Sequence, residues 1–78
     1  MVKECQIQRD HVGSLAIITG YTPFEIARLE KLPKEEAERK VFADIGDMAN
    51  VLCCGYGYSG QMTFGHNCVY LKIGDTND

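Results

Sequence analysis

The segment 15–30 constrains the fold more than any other part of the chain. Its sequence predicts two short helices that meet at a sharp turn, with Gly20 ending the first helix and Thr22 capping the second. Pro23 suits the first turn of a helix, and Glu25 follows Thr22 by three residues, as in a capping box. The positions expected to face inward are Leu15, Ala16, Ile26 and Leu29, with Tyr21 and Ile26 forming a hydrophobic staple. The segment therefore predicts a helix-turn-helix unit.

The length and composition predict one small globular domain covering residues 1–78. The chain has 78 residues, of which 45% are hydrophobic and 9% aromatic, so it has enough apolar side chains for a single core. No apolar run reaches membrane-spanning length, and the first residues lack the apolar stretch of a signal peptide. We therefore expect a cytoplasmic protein that makes no membrane contact.

The remaining elements predict an α+β fold with three to four helices in residues 10–54. We expect helices over 11–19 and 23–31, although the β-branched run 17–19 favours a strand. A longer helix opens at Pro33, is kinked or split at Gly46 and ends at Gly55. Its buried stripe is Val41, Phe42, Ile45, Met48, Ala49 and Leu52.

The C-terminal part predicts β-structure. Residues 55–60 read as a loop rich in glycine and tyrosine, and residues 61–74 as a β-hairpin with one apolar face. Residues 2–9 fit either a helix or a strand, and as a strand they would complete a small sheet with the hairpin. The unpaired edge of that hairpin suggests a homodimer.

These patterns together resemble the Cro and repressor class of helix-turn-helix proteins of phages and bacteria. The resemblance covers residues 2–54, and the C-terminal hairpin looks like the dimer-forming hairpin of the smallest Cro proteins. It rests on Leu15-Ala16, Thr19-Gly20, Thr22, Ile26, Leu29-Glu30 and the later Ile45, Ala49 and Leu52. It implies a regulator of transcription that inserts a recognition helix, residues 22–31, into the major groove of duplex DNA.

The expected DNA contacts follow from that recognition helix. Arg28 is placed to bond a guanine edge, and Lys31, Lys34 and Arg39 to hold phosphates. The side chains that would face the groove are Thr22, Phe24, Ala27, Arg28 and Lys31.

The charge distribution supports a different class of function. The net charge is −3, and all of that excess lies in residues 41–78. The charged residues there are one base, Lys72, and four acids, Asp44, Asp47, Asp75 and Asp78. A nucleic-acid binder normally presents a basic face. The alternative is an acidic inhibitor or adaptor that blocks a basic host protein, as small phage anti-defence and anti-CRISPR proteins do. Its contact residues would be Glu35, Glu36, Glu38, Asp44, Asp47, Tyr56 and Tyr58.

Metal binding and catalysis have weaker support in the sequence. Thiolate and imidazole ligands for zinc are available at Cys53, Cys54, His66 and Cys68, but their spacing is not that of a zinc knuckle, and reduced structural thiols are the simpler interpretation. With two histidines and no readable nucleophile–base pair, we expect no enzyme activity and no cofactor.

Overall fold

A computed structural model describes residues 3–9 and 13–74, which form a small α+β domain. A four-stranded antiparallel sheet carries a layer of helices on one face. The elements in chain order are β1 (Glu4–Arg9), β2 (Ser14–Thr19), α1 (Pro23–Lys31), α2 (Lys34–Ile45), α3 (Met48–Asn50), a π-helical turn (Val51–Gly55), β3 (Tyr58–Phe64) and β4 (Cys68–Ile73). The strand order is β1-β2-β4-β3, so β2 and β4 are central and β1 and β3 are the edges.

The prediction of a helix over residues 11–19 is wrong for residues 14–19, which form strand β2. This strand pairs with β1 on one side and with β4 on the other. Ser14, Ala16 and Ile18 are buried, while Leu15 and Thr19 are exposed, which is the period-two pattern of a strand. The predicted helix-turn-helix is therefore not formed. Residues 10–12 of the predicted helical region lie outside the described residues.

The alternative left open for residues 2–9 is decided in favour of a strand over residues 4–9. Cys5 and Ile7 are half-buried and pack against the core, whereas Glu4, Gln6 and Gln8 are exposed. Ile7 lies opposite Ala16 in the register of the sheet. β1 thus extends the hairpin sheet through β2 rather than pairing with the hairpin directly.

The predicted long helix is divided into α2, α3 and the π-helical turn. Gly46 has a φ of +63°, a conformation that other residues rarely adopt, and it separates α2 from α3. Val41 and Leu52 from the predicted stripe are fully buried, and Phe42 and Ile45 pack against the same core. The predicted end of the helical region at Gly55 is confirmed.

The C-terminal hairpin is confirmed, but it begins earlier than predicted. Tyr58, Ser59 and Gly60 belong to β3 rather than to the loop predicted over residues 55–60. The register with β4 shifts between Tyr58 and Gln61, and Gly60 at this bulge has a φ of +88°. The bulge therefore accommodates a segment whose glycine content suggested a loop.

One hydrophobic core joins the sheet to the helices. β2 and β4 are central strands, and their inward side chains meet those of α1, α2 and the π-helical turn. The buried members are Ala16, Ile18, Tyr21, Ile26, Leu29, Ala37, Val41, Leu52, Val69, Leu71 and Ile73. Within the described ranges, the helices are too short and too polar for any of them to cross a membrane.

Candidate functional site

Helix α1 begins with the capping arrangement that the sequence predicts. The backbone N–H of Glu25 donates to Thr22 Oγ1 at 3.1 Å, and the backbone N–H of Thr22 donates to Glu25 Oε1 at 2.9 Å. Pro23 occupies the first turn, and Tyr21 and Ile26 are both buried in the core, as expected for the staple. The hydrogen bond from Thr22, followed by that from Lys3, holds the pKa of Glu25 below its usual value. The capping fixes the direction in which α1 presents its outer face.

The outer face of α1 carries one continuous exposed stripe. Phe24, Ala27, Arg28 and Lys31 are spaced at three, four and seven residues and are all exposed; we call them the α1 stripe. Phe24 is 70% exposed, and the Arg28 guanidinium carbon lies 5.9 Å from the centre of its ring. This distance is within the range of a cation–π contact. The structure thus brings together four of the side chains that were predicted to face the major groove of DNA.

The other predicted DNA contacts lie outside this stripe. The Thr22 hydroxyl is engaged in capping α1, as described above. Lys34 opens α2, and its Nζ lies 3.7 Å from the position that a β-carbon on Gly60 would occupy, so it lies along β3. Arg39 is exposed on α2. The predicted DNA-binding set is therefore distributed over two helices.

A groove of about 320 Å³ separates α1 from α2. It is lined by Tyr21, Glu25, Arg28, Leu29, Leu32, Lys40, Ala43 and Asp44, and we call it the α1–α2 groove. The Tyr21 hydroxyl donates to Asp44 Oδ2 at 2.9 Å. Burial, followed by the bond to Asp44, raises the pKa of Tyr21 above its ordinary value. Arg28 belongs to both the groove and the α1 stripe.

Lys3 adds a contact to this region that the sequence did not predict. Its Nζ lies 3.3 Å from Glu25 Oε2 and 4.7 Å from the centre of the Tyr21 ring. Lys3 just precedes β1, 22 residues before Glu25. No local pattern links these positions, because sheet formation brings them together.

The acidic residues predicted to face a protein partner divide into two groups. Glu38 Oε2 accepts a hydrogen bond of 2.5 Å from the Tyr58 hydroxyl, and Asp44 accepts the bond from Tyr21. Glu35, Glu36 and Asp47 are exposed. Asp44 is exposed as well but is bonded to Tyr21, whereas Glu38 is half-buried.

Tyr56 and Tyr58 are half-buried rather than displayed on an open loop. Both pack against the core, and the Tyr58 ring meets the Phe42 ring edge-on with centres 5.5 Å apart. Burial, together with the bond to Glu38, raises the pKa of Tyr58. These tyrosines therefore cover an edge of the core.

The four candidate zinc ligands occupy two separate places. Cys53 and Cys54 precede β3, whereas His66 and Cys68 follow its other end. In the part of the chain that the structure describes, no three His, Cys, Asp or Glu side chains are grouped so that they could hold a metal ion. All four cysteines are free thiols, and burial raises the pKa of Cys5.

Comparison with protein-family models, curated proteins and solved structures found no match.

Proposed function

We propose that this chain is a small non-enzymatic protein-binding domain, an inhibitor or adaptor that contacts its partner through the α1 stripe. The carrying observation is Phe24, a large aromatic side chain left 70% exposed on a well-capped helix beside Arg28. Aromatic and arginine side chains are enriched among the residues that supply most of the energy of protein interfaces. The rigid backbone of α1 holds both side chains in place before binding, which lowers the entropic cost of association.

The charges of the helical layer favour a protein over a nucleic acid. Residues 23–45 contain five Lys or Arg side chains and six Asp or Glu side chains. A surface that binds phosphates needs a basic excess, because release of counterions supplies much of the affinity. If the domain acts as an inhibitor of a basic partner, the exposed carboxylates of Glu35, Glu36 and Asp47 would contact that partner.

Duplex DNA is a second candidate partner, favoured by the neighbouring Arg28 and Lys31 on the α1 stripe. The DNA would be bound by the exposed face of helix α1 alone. Such binding would depend on phosphate contacts and weaken steeply with salt. Fluorescence anisotropy with a pool of random duplex DNA, measured at low and moderate salt, tests it directly.

Homodimerisation through the hairpin is a further part of the proposal. β3 is an edge strand of the sheet, and edge strands offer backbone groups to a second chain. Sedimentation equilibrium over a range of protein concentrations would report a dimer mass if β3 pairs in this way, and a monomer mass would reject this part.

Capture from a nuclease-treated lysate of the cells that make the protein tests the main proposal. The immobilised wild type is compared with Phe24→Ala and with Leu15→Ala, which truncates an exposed side chain of β2 that is 37% accessible. We expect the same proteins to be retained by the wild type and by Leu15→Ala. Retention should fall at least about tenfold with Phe24→Ala, as for a central interface residue. Equal retention by all three forms would reject the α1 stripe as the contact surface.

A further inference from the structure

The lining of the α1–α2 groove combines aliphatic and charged side chains. Leu29 of α1, Leu32 at its C-terminal cap and Ala43 of α2 supply aliphatic surface. A volume of about 320 Å³ is at the lower end of the range for binding pockets and suits one or two side chains rather than a large cofactor. The groove is thus shaped for part of a peptide.

The acidic groups of the groove are already bonded within the domain. Glu25 accepts hydrogen bonds from Lys3 and from the backbone N–H of Thr22, and Asp44 accepts one from Tyr21. These bonds occupy acceptor sites on both carboxylates, and Lys3 also compensates the charge of Glu25.

The two basic groups of the groove have no such partner in the part of the chain that the structure describes. Within the described residues, no carboxylate lies within ion-pair distance of Arg28 or Lys40. The Arg28 guanidinium lies over the Phe24 ring, and no hydrogen-bond acceptor for its N–H groups is found among the described residues, so they are available as donors. With Lys3 included, the groove has one more positive charge than negative. Across the described ranges, the groove charges without an ion-pair partner are the two cations Arg28 and Lys40 and the single carboxylate of Asp44.

We infer that the α1–α2 groove binds an acidic segment of the partner protein, in which an apolar side chain stands next to an Asp or Glu. The apolar side chain would lie on Leu29 and Leu32, and the carboxylate would accept hydrogen bonds from Arg28 and Lys40. Arginine binds carboxylates in a bidentate geometry, which gives direction as well as affinity. A peptide with one carboxylate fits better than a nucleic-acid backbone, because a second phosphate would meet the charge of Asp44. This inference rests on the proposed function and adds the chemistry of one segment of the partner. The basic surface of the partner would meet Glu35, Glu36 and Asp47, which lie outside the groove.

Selection from a random 12-residue peptide display library tests the groove without knowledge of the natural partner. We expect enriched peptides to carry Asp or Glu beside Leu, Ile or Phe. The probe is the most enriched peptide, synthesised with a fluorescent label, together with its Asp→Asn and Glu→Gln analogue. Affinity is measured on the wild type, on the double variant Arg28→Gln/Lys40→Gln, and on the charge-matched control Arg39→Gln/Lys72→Gln, whose sites lie outside the groove.

We expect the double variant and the amide analogue each to lose at least about tenfold in affinity, as for the loss of charge-assisted hydrogen bonds. The control should remain within about threefold of the wild type, as for a change of long-range charge alone. Circular dichroism on each variant verifies that the fold is intact. Amide chemical-shift changes on addition of the peptide should cluster at the ends of α1 and α2.

Several results would overturn the inference. These are a library that yields no enriched peptide, enriched peptides without carboxylates, and equal binding by the double variant. Binding of random duplex DNA that Lys40→Gln loses would assign the groove to phosphates instead. Failure of the groove alone is recognisable, because Lys40 lies in the groove but outside the α1 stripe. The lysate proteins would then be lost with Phe24→Ala and retained with Lys40→Gln.

Discussion

Two adjacent isoleucines on β2 test the assignment of residues 14–19 to a central strand. Ile18 is fully buried between β1 and β4, whereas Ile17 points to the opposite face and is half-buried. Truncating a buried isoleucine to alanine costs about 2–5 kcal/mol, because both transfer free energy and packing are lost. We expect about 3 kcal/mol for Ile18→Ala. For Ile17→Ala we expect about 1 kcal/mol, from lower strand propensity and partial burial.

Thermal unfolding followed by circular dichroism measures this difference with a matched pair of substitutions. In a domain of this size, 1 kcal/mol lowers Tm by roughly 4–8 °C, so Ile18→Ala should unfold at least about 10 °C below the wild type. Ile17→Ala should remain within about 8 °C of it. If Ile18→Ala is too unstable to measure, Ile18→Val should still cost about 0.5–1.5 kcal/mol. Equal losses for the two alanine variants would refute the strand and restore the helix that the local sequence suggests.

Three further predictions concern capping, backbone conformation and pH. Thr22→Ala should cost about 1 kcal/mol in chemical unfolding, because it removes the N-cap of α1. Gly46→Ala should cost about 1–3 kcal/mol in the same assay, since alanine is strained at a φ of +63°. Tyr21 and Tyr58 have raised pKa values in the folded state, so the stability that they contribute is complete below the ordinary tyrosine pKa of about 10 and falls as pH rises through their folded pKa values. Absorbance at 295 nm should therefore show that these two tyrosines ionise at higher pH in the folded wild type than in unfolded protein. The loss of unfolding free energy above about pH 10 should be smaller in Tyr21→Phe than in the wild type. An equal dependence of unfolding free energy on pH in the two proteins would contradict the role of the Tyr21–Asp44 bond.

The start of α1 was predictable because its signals are local. Capping by Thr22, the position of Pro23 and the spacing of Glu25 depend only on neighbouring residues, and the structure confirms all three. The resemblance to helix-turn-helix proteins implied that Thr22, Phe24, Ala27, Arg28 and Lys31 face outward on this helix, and all five are exposed. Local sequence was sufficient wherever the backbone satisfies its hydrogen bonds within one turn.

Strand β2 was not predictable in the same way. Leu15 and Ile17 are apolar on the outer face while Ala16 and Ile18 are buried on the inner face, so the sequence lacks the alternation that indicates a strand. Pairing with β1 and β4 decides the conformation, and neither partner is visible from the segment itself. Tertiary context overrides local propensity in this case.

The α1–α2 groove was unpredictable for a related reason. Residues of two helices line it, and the distance between those helices depends on the turn that joins them. Lys3, which precedes β1, contacts Glu25 of α1 only because the chain folds back on itself. Helical spacing identifies which side chains share a face, but not which faces of different elements lie side by side. The exposed stripe could therefore be found from the sequence, and the groove next to it only from the structure.

Photocrosslinking from position 24 inside living cells tests the central claim most directly. The photoreactive residue p-benzoylphenylalanine is introduced at position 24 on the α1 stripe and, as a control, at position 15 on the exposed face of β2. The account predicts a discrete crosslinked protein from position 24 that is absent from position 15 and that disappears in competition with untagged wild type but not with Phe24→Ala. Crosslinks of equal yield from both positions, or none from position 24, would contradict it.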